Sequence, residues 1–486
     1  MSQDIRNLEP KALWNHFADL NAVPRPSKKE EGVRAFMRDF GKGLGLPTRE
    51  DAIGNVIITK PASLGMEAKA KVVLQSHLDM VHQKNAATTF DFNKEGIKMY
   101  VDGDWVKADG TTLGADNGIG VATIMALLAS QDIAHPPLEA LFTIDEETGM
   151  TGAMELKSGE LTGKYLLNLD TEDDDELSIG CAGGIDLSFR GSYPEESLPQ
   201  GMEAYQIEVK GLNGGHSGMD IHKGLGNANK LLTRILWKTG EQFGMCLVSF
   251  EGGSLRNAIP REATAVVAIP VGNKAGFLDH VKSINAQLKQ EHHTTDSKLE
   301  VVSTPAELPA SAMDRFTQIN FLAALYACPN GIYRMSPDIP GLVQTSNNLA
   351  KVQAKAGKIE VLCLTRSSVE TEKIDQAQAV EAAFEVLSGK VETSGSYPGW
   401  TPAPASRIVN LMTNLYREMF KEEPRVAACH AGLECGLLGQ NYPEIEMISF
   451  GPNIRGAHSP DEKVQISSVQ KFWEFTLEAL KRIPTA

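Results

Sequence analysis

Lys71-Val-Val-Leu-Gln-Ser-His-Leu-Asp-Met80 is an apolar run that stops abruptly in His77 and Asp79. Two later runs stop in the same way. Leu138-Glu-Ala-Leu-Phe-Thr-Ile-Asp145 leads into Glu146-Glu147, and Lys164-Tyr-Leu-Leu-Asn-Leu-Asp170 ends in its own carboxylate. Between them, Gly114-Ala-Asp-Asn-Gly-Ile-Gly120 places Asp116 just ahead of a helical pattern over residues 121–130. Short apolar runs separated by helical patterns read as buried strands of a largely parallel sheet. In open α/β sheets, ligands bind beyond the carboxyl ends of the strands. The stretch therefore predicts an α/β fold with a metal site where its strands end.

Working outward, residues 4–20 have helical spacing that Pro24 and Pro26 end, and residues 28–40 form a second helix stopped by Gly41, Gly43 and Gly45. Residues 51–59 read as a strand, and residues 90–107 as a hairpin with Asp102-Gly103 as its turn. From about residue 185 the pattern changes to alternating runs (204–210, 264–269, 358–364), separated by helical segments at 227–237, 275–290 and 376–387. Alternation signals half-exposed antiparallel strands with helices on one face. Prolines and a glycine punctuate residues 398–404. A helix (406–420), a turn (429–435), a strand (445–450) and a closing helix (467–482) follow. His458 comes after that last strand as the earlier candidates come after theirs. The expected organisation is one catalytic domain, residues 1–185 and 401–486, with a mostly parallel sheet and helices on both its faces. An α+β lid of residues 186–400 is inserted into it, large enough for two similar halves.

At 486 residues the chain exceeds what a single core usually supports. Apolar residues at 42% and charged residues at 22% are ordinary for a globular protein. Lys+Arg 47 against Asp+Glu 62 leaves −15, which disfavours nucleic acid and anionic membrane as partners. The cysteines at 181, 246, 328, 363, 429 and 435 lack CxxC spacing, and no basic-then-apolar signal segment opens the chain. No apolar stretch approaches the ~20 residues of a membrane span. These features point to a reduced, cytoplasmic protein.

His77, Asp116, Glu147, Asp170 and His458 offer two imidazoles and three carboxylates, donors suited to an open catalytic zinc site. Two ions can be served by these five if one carboxylate bridges, and three carboxylates with one hydroxide balance two divalent cations. Metals held ~3.5–4 Å apart can share a hydroxide nucleophile and polarise a scissile carbonyl. Asp79, two residues beyond His77, shares its face on an extended segment and can orient the imidazole. Of Glu146 and Glu147, one can bind metal while the other acts as general base, and spacing alone does not assign them. His82 and His135 read as local hydrogen-bonding residues, and Glu172-Asp-Asp-Asp-Glu176 as a solvated loop lacking calcium-loop spacing. Gly215-His-Ser-Gly-Met219 is not a nucleophile elbow, and Cys181 reads as a buried structural thiol.

Ser76-His77-Leu-Asp79, Leu113-Gly-Ala-Asp116-Asn-Gly, Asp145-Glu146-Glu147-Thr-Gly-Met-Thr-Gly-Ala153, Asn168-Leu-Asp170 and Ala457-His458-Ser together resemble the di-zinc metallopeptidases of the aminoacylase, carnosinase and carboxypeptidase G type. The resemblance covers essentially the whole chain. It implies that Asp116 bridges two ions, with His77 and Asp170 on one and Glu147 and His458 on the other. It further implies Glu146 as general base, Asp79 as support for His77, and a lid that closes over substrate. In the lid, His216 of Asn213-Gly-Gly-His216-Ser-Gly resembles a histidine that binds the substrate carbonyl. Asn257, Arg366 and Gly432 match positions that hold the substrate's terminal carboxylate, for which a guanidinium fork is well shaped.

The expected protein is a dipeptidase using two divalent ions, zinc first and cobalt or manganese as alternatives, on Xaa-His and other unblocked dipeptides, β-Ala-His among the candidates. The rivals are an N-acyl amino acid deacylase of the same family and a non-catalytic metal-binding protein. Small dipeptides are the expected partners, and the resemblance leaves open whether His216 acts within its own chain or across a homodimer.

Overall fold

The computed structural model describes residues 2–486 and resolves two compact units. The first comprises the chain up to Gly180 together with Trp400–Ala428 and Leu433–Ala486, and the second comprises Cys181–Gly399 with Cys429–Gly432.

The first unit is built on an eight-stranded sheet. Its strands in chain order are β1 (Thr48–Glu50), β2 (Val56–Lys60), β3 (Val72–His77), β4 (Leu138–Thr143), β5 (Tyr165–Asn168), β6 (Glu176–Cys181), β7 (Arg425–Cys429) and β8 (Glu446–Ser449). Their order across the sheet is β1-β2-β4-β3-β5-β8-β6-β7. The four central strands run parallel, and β1, β2 and β6 are antiparallel to their neighbours. Every residue of β3, β4 and β5 is buried, as expected of parallel strands covered on both faces. Register aligns His77 with Thr143 and Leu74 with Leu167, so the carboxyl ends of the central strands lie level.

Several elements differ from the sequence reading. The first helix is two, Ser2–Ile5 and Lys11–Asn21, because Pro10 has no N–H to donate and opens the second. The next helix, Glu31–Gly43, runs through Gly41 rather than stopping there. A Cβ at Gly41 would lie 2.8 Å from Ile58 Cδ1, so this glycine is a packing contact against β2. The single strand expected over 51–59 is a hairpin of β1 and β2, whose loop is tied by the Asp51 carboxylate accepting N–H groups of Ile53, Gly54 and Asn55. The hairpin expected over 90–107 is shorter, Met99–Asp102 with Trp105–Ala108, and its two-residue loop is Gly103-Asp104. Only Gly103 takes positive φ there, which a two-residue hairpin loop demands and glycine supplies freely. The expected turn at 429–435 includes the end of β7 and the start of a helix, Glu434–Asn441. The acidic run 172–176 is not simply solvated. Arg425 pairs with Asp173 at 2.8 Å and Glu176 at 2.6 Å, Arg455 with Asp173 at 2.7 Å, and Lys471 with Asp174 at 3.0 Å.

The second unit holds a nine-stranded sheet whose paired strands are all antiparallel, with Val343–Lys355 and Lys358–Ser367 at its middle. Helices Ala228–Leu236, Lys274–Glu291 and Glu370–Phe384 bury one face each among Phe250, Phe277, Phe384 and their neighbours, a core separate from that of the first unit. A further helix, Arg315–Ala327, has no counterpart in the periodicity reading. Its apolar residues surround the helix, with Phe316 and Tyr326 exposed and Phe321 and Leu325 buried, so no single stripe marks it. No helix among the described residues is long and apolar enough to cross a membrane.

Candidate metal centre

The strand ends of the first unit deliver the side chains. His77 is the last residue of β3, Glu146 and Glu147 open the short helix after β4, and Asp170 stands two residues beyond β5. Asp116 lies at the start of the helix Ala115–Ala129, and His458 on a loop between two short paired strands, Ile454–Arg455 and Lys463–Gln465. Asp145 and His458 both adopt positive φ, at 55° and 66°. For non-glycine residues this conformation is uncommon and concentrates at functional sites.

The five donors expected from the sequence converge. Donor atoms of His77, Asp116 and Asp170 lie within 4.8 Å of one another, and so do those of Asp116, Glu147 and His458. Asp116 belongs to both groups through different oxygens. Its Oδ1 is 3.1 Å from Nε2 of His77, and its Oδ2 is 3.4 Å from Nε2 of His458. Asp170 lies 3.5 Å from the same His77 nitrogen, and Glu147 3.0 Å from that of His458. Glu146 joins His77 and Glu147 in a third group.

Asp79 holds this arrangement from below. One of its oxygens is 3.3 Å from Nδ1 of His77, which leaves Nε2 aimed at the donors. The same carboxylate accepts the backbone N–H groups of Glu146 and Glu147 and the Ser27 hydroxyl. Ser27 and, through Asp145, Lys28 satisfy the neighbouring acidic group of Glu30, Asp79 and Asp145.

Three supports have no signal in the sequence. Buried Glu462 accepts four successive backbone N–H groups, from Leu113 to Asp116, and so fixes the loop that carries Asp116. Buried Arg25 donates to the carbonyls of Leu78, Asp79 and Gly114. Gly114 takes φ +69°, and a Cβ there would sit 2.6 Å from the guanidinium. Glu434 accepts from Gln75 and Thr143 at 2.6 and 2.8 Å, anchoring a buried polar row that continues through Asn168 to Ser449. All three act on partners far away in sequence, and those given for Glu462 and Arg25 are backbone atoms that carry no residue-type signature.

Electrostatics reflect the crowding. Burial alone would lower His77, but Asp170, Asp116 and Asp79 raise it well above the usual imidazole range. Hydrogen bonds to Asp116 and Glu147 lift His458 to about 11. Burial raises Asp170 to about 6 and Glu146 well above the carboxylate range, while Asp116 is brought down by His458 and His77 against its own burial. Buried carboxylates this close need countercharge, from protons on the imidazoles or from cations. Oε1 of Glu147 is buried with no hydrogen-bond partner, an acceptor left for a ligand. Imidazole and carboxylate donors in two sets joined by a shared aspartate, with no cysteine among them, suit two divalent ions in open sites.

The remaining sequence candidates lie in the second unit. His216 pairs through Gly215-His216 with Ala258-Ile259, and these segments with Asn257 line a cavity of about 770 Å³. Arg366 is 5% exposed and donates to the Tyr397 hydroxyl at 2.9 Å, and its Nε has no partner. Among the described residues no carboxylate forms an ion pair with it. A Cβ at Gly218 would meet the His430 carbonyl, the His216 ring and Arg366 Nε, so these groups pack around one point. Gly432 follows His430 by two residues in the short segment that belongs to this unit. His430, missed by the sequence reading, bonds the Ser346 hydroxyl through Nε2 at 2.8 Å.

The sequence model of peptidase family M20/M25/M40 matches residues 73–482. The chain belongs to this family. As an M20 peptidase it is a hydrolase, and metal dependence is typical of its relatives. It is 42% identical over 481 residues to the cytosol non-specific dipeptidase of Escherichia coli (strain K12), covering 99% of each chain. Among solved structures, aminoacylhistidine dipeptidase from Vibrio alginolyticus is 43% identical over 100% of both chains, with a TM-score of 0.96. Aminopeptidase PepT from Bacillus cereus, at 16% identity over 98% of this chain and 99% of its own, superposes with a TM-score of 0.57 and shows the shared fold. The α/β class read from the strand ends is the fold of this M20 peptidase.

Proposed function

We propose that this M20 peptidase is a cytoplasmic, zinc-dependent dipeptidase cleaving Xaa-His and other unblocked dipeptides, β-Ala-His among them. Near-full-length similarity to two dipeptidases supports the substrate class. The observation that carries the chemistry is Asp116, whose two oxygens face two separate donor sets. In this reading His77, Asp116 and Asp170 would hold one ion, and Asp116, Glu147 and His458 the other. When bound, such ions supply Lewis-acid polarisation of a carbonyl and make a water more acidic.

The chain's own residues do the rest. Glu146 takes the proton of the attacking water and passes it to the leaving amide nitrogen. Its backbone N–H is fixed by Asp79, so its carboxylate starts from a set position. Asp79 keeps the His77 ring oriented. His216 donates to the carbonyl oxygen as negative charge develops there, whether from its own chain or from a homodimer partner. Arg366, an unpaired buried cation, binds the substrate's terminal carboxylate, with Asn257 and Gly432 lining the same pocket. The same donor set accepts cobalt or manganese, and zinc is the ion best matched to it.

Release of free histidine from a simple Xaa-His dipeptide tests the reading, using protein stripped of metal and then refilled with zinc. Release only on refilling is expected. With two ions bound and no release from free dipeptides, but turnover of N-acyl amino acids, the deacylase reading replaces it.

A further inference from the structure

His216 has its own local machinery within the second unit. Its Nδ1 faces two backbone N–H donors, Gly218 at 3.2 Å and Met219 at 3.0 Å. A ring nitrogen that accepts carries no proton, so in a neutral imidazole the other nitrogen carries it. Burial and the nearby Arg366 lower the pKa of His216, which favours the neutral ring. The arrangement therefore presents Nε2–H as a donor.

Two backbone N–H groups aim at Nδ1 only if the turn after His216 is closed, and Asp220 closes it. The Asp220 carboxylate accepts the His216 backbone N–H at 2.7 Å, and the Asp220 N–H returns to the His216 carbonyl at 2.9 Å. The second carboxylate oxygen is 2.6 Å from Lys223, and these contacts hold the group ionised, below its usual range. Gly215 leaves room for it, since a Cβ there would lie 2.9 Å from Asp220 Oδ2. On the opposite side the Ser217 N–H is fixed by the Asn257 carbonyl at 2.8 Å.

We infer that Asp220 is a positioning residue for amide hydrolysis: by closing the His216–Asp220 turn it fixes the Nε2–H tautomer of His216 that donates to the substrate carbonyl. This rests on the donor role given to His216 above. A donor that acts chiefly on developing charge changes kcat more than KM.

The test uses the full-length, zinc-loaded protein as wild type, Asp220→Ala, Asp220→Asn and His216→Ala. Steady-state kinetics are combined with two-bond 15N–1H correlation of labelled histidine rings, in which the signal lost in His216→Ala identifies His216. Wild type should show the Nε2–H pattern. Asp220→Ala should mix the tautomers and lower kcat by roughly tenfold to a hundredfold, the worth of one charge-assisted hydrogen bond, with KM little changed. Asp220→Asn, whose amide oxygen can still accept from the His216 N–H, should retain the tautomer and most of the rate. If Asp220→Ala keeps both tautomer and kcat while His216→Ala is slow, the role given to Asp220 is wrong. If His216→Ala itself retains full kcat, the donor assignment fails, and the catalytic meaning of Asp220 falls with it.

Discussion

Oδ2 of Asp116 lies 3.4 Å from Nε2 of His458, while Oδ1 of the same carboxylate is occupied by His77. One residue thus ties the donor from the last strands to the donor from the first. Replacing Asp116 by Ala should therefore cost both ions rather than one. Elemental analysis of Asp116→Ala should find metal content well below two per chain, and activity should fall by on the order of a thousandfold or more, since several kcal/mol of transition-state stabilisation depend on the ions. Retention of two ions would mean that the aspartate does not bridge.

Glu147 lies 3.0 Å from His458 and shares a donor group with it and Asp116, whereas Glu146 is grouped only with His77 and Glu147. In the proposed reading Glu147 is the ligand and Glu146 the base, and substitution separates the two roles. Glu146→Gln should bind two ions yet lose about a hundredfold to ten-thousandfold in kcat, the usual contribution of a positioned proton-transfer group. Glu147→Gln should instead lose metal, which the same elemental analysis reads.

The strand-end donors were legible because burial forces parallel strands to be apolar, so a polar residue at a strand's end stands out against its own run. His77, Glu147 and Asp170 announce themselves in this way, Asp116 by its place just ahead of a helical pattern, and His458 by analogy on the far side of the insertion. Much of what the pattern left unmarked binds backbone. Glu462 reaches four N–H groups about 350 residues away in the chain, and Asp220 serves a turn whose donors belong to Gly218 and Met219. Helix Arg315–Ala327 was hidden for a different reason: with Phe316 outside and Phe321 inside, it has no polar face to give a period. The acidic run 172–176 read as solvated because its partners, Arg425, Arg455 and Lys471, come from the distant C-terminal segment.

Glu462 offers a direct measure of how far the site depends on that unseen support. Glu462→Ala removes the acceptor of four buried N–H groups, and each one left unsatisfied costs about 1–3 kcal/mol before water enters. A loss of several kcal/mol is expected in denaturant unfolding, together with weaker ion binding because the Asp116 loop is released. Glu462→Gln, which keeps one carbonyl oxygen for part of the set, should fall between. Full stability in Glu462→Ala would show that water takes over the cradle without penalty.

His430 gives the acid side of the stability profile. Burial first, and then Arg366, push its pKa from 6.5 down to about 3, so the folded protein keeps the ring neutral where the unfolded chain protonates it. Because the folded pKa is the lower one, the unfolded state binds the extra proton as pH falls, and stability drains away below about 6.5 until about 3. The slope contributed by one such group is at most about 1.4 kcal/mol per pH unit. His430→Gln removes the titrating group while leaving a polar side chain for Ser346, the partner at 2.8 Å. Unfolding of wild type and variant, compared by denaturant titration at several pH values from 7 to 4, should show a shallower loss in the variant. Glutamine replaces the imidazole's contact to Ser346 only in part, so the variant should be less stable at pH 7 and the two curves should approach each other on the acid side. Parallel curves would mean that His430 takes up its proton in the folded state as readily as in the unfolded one.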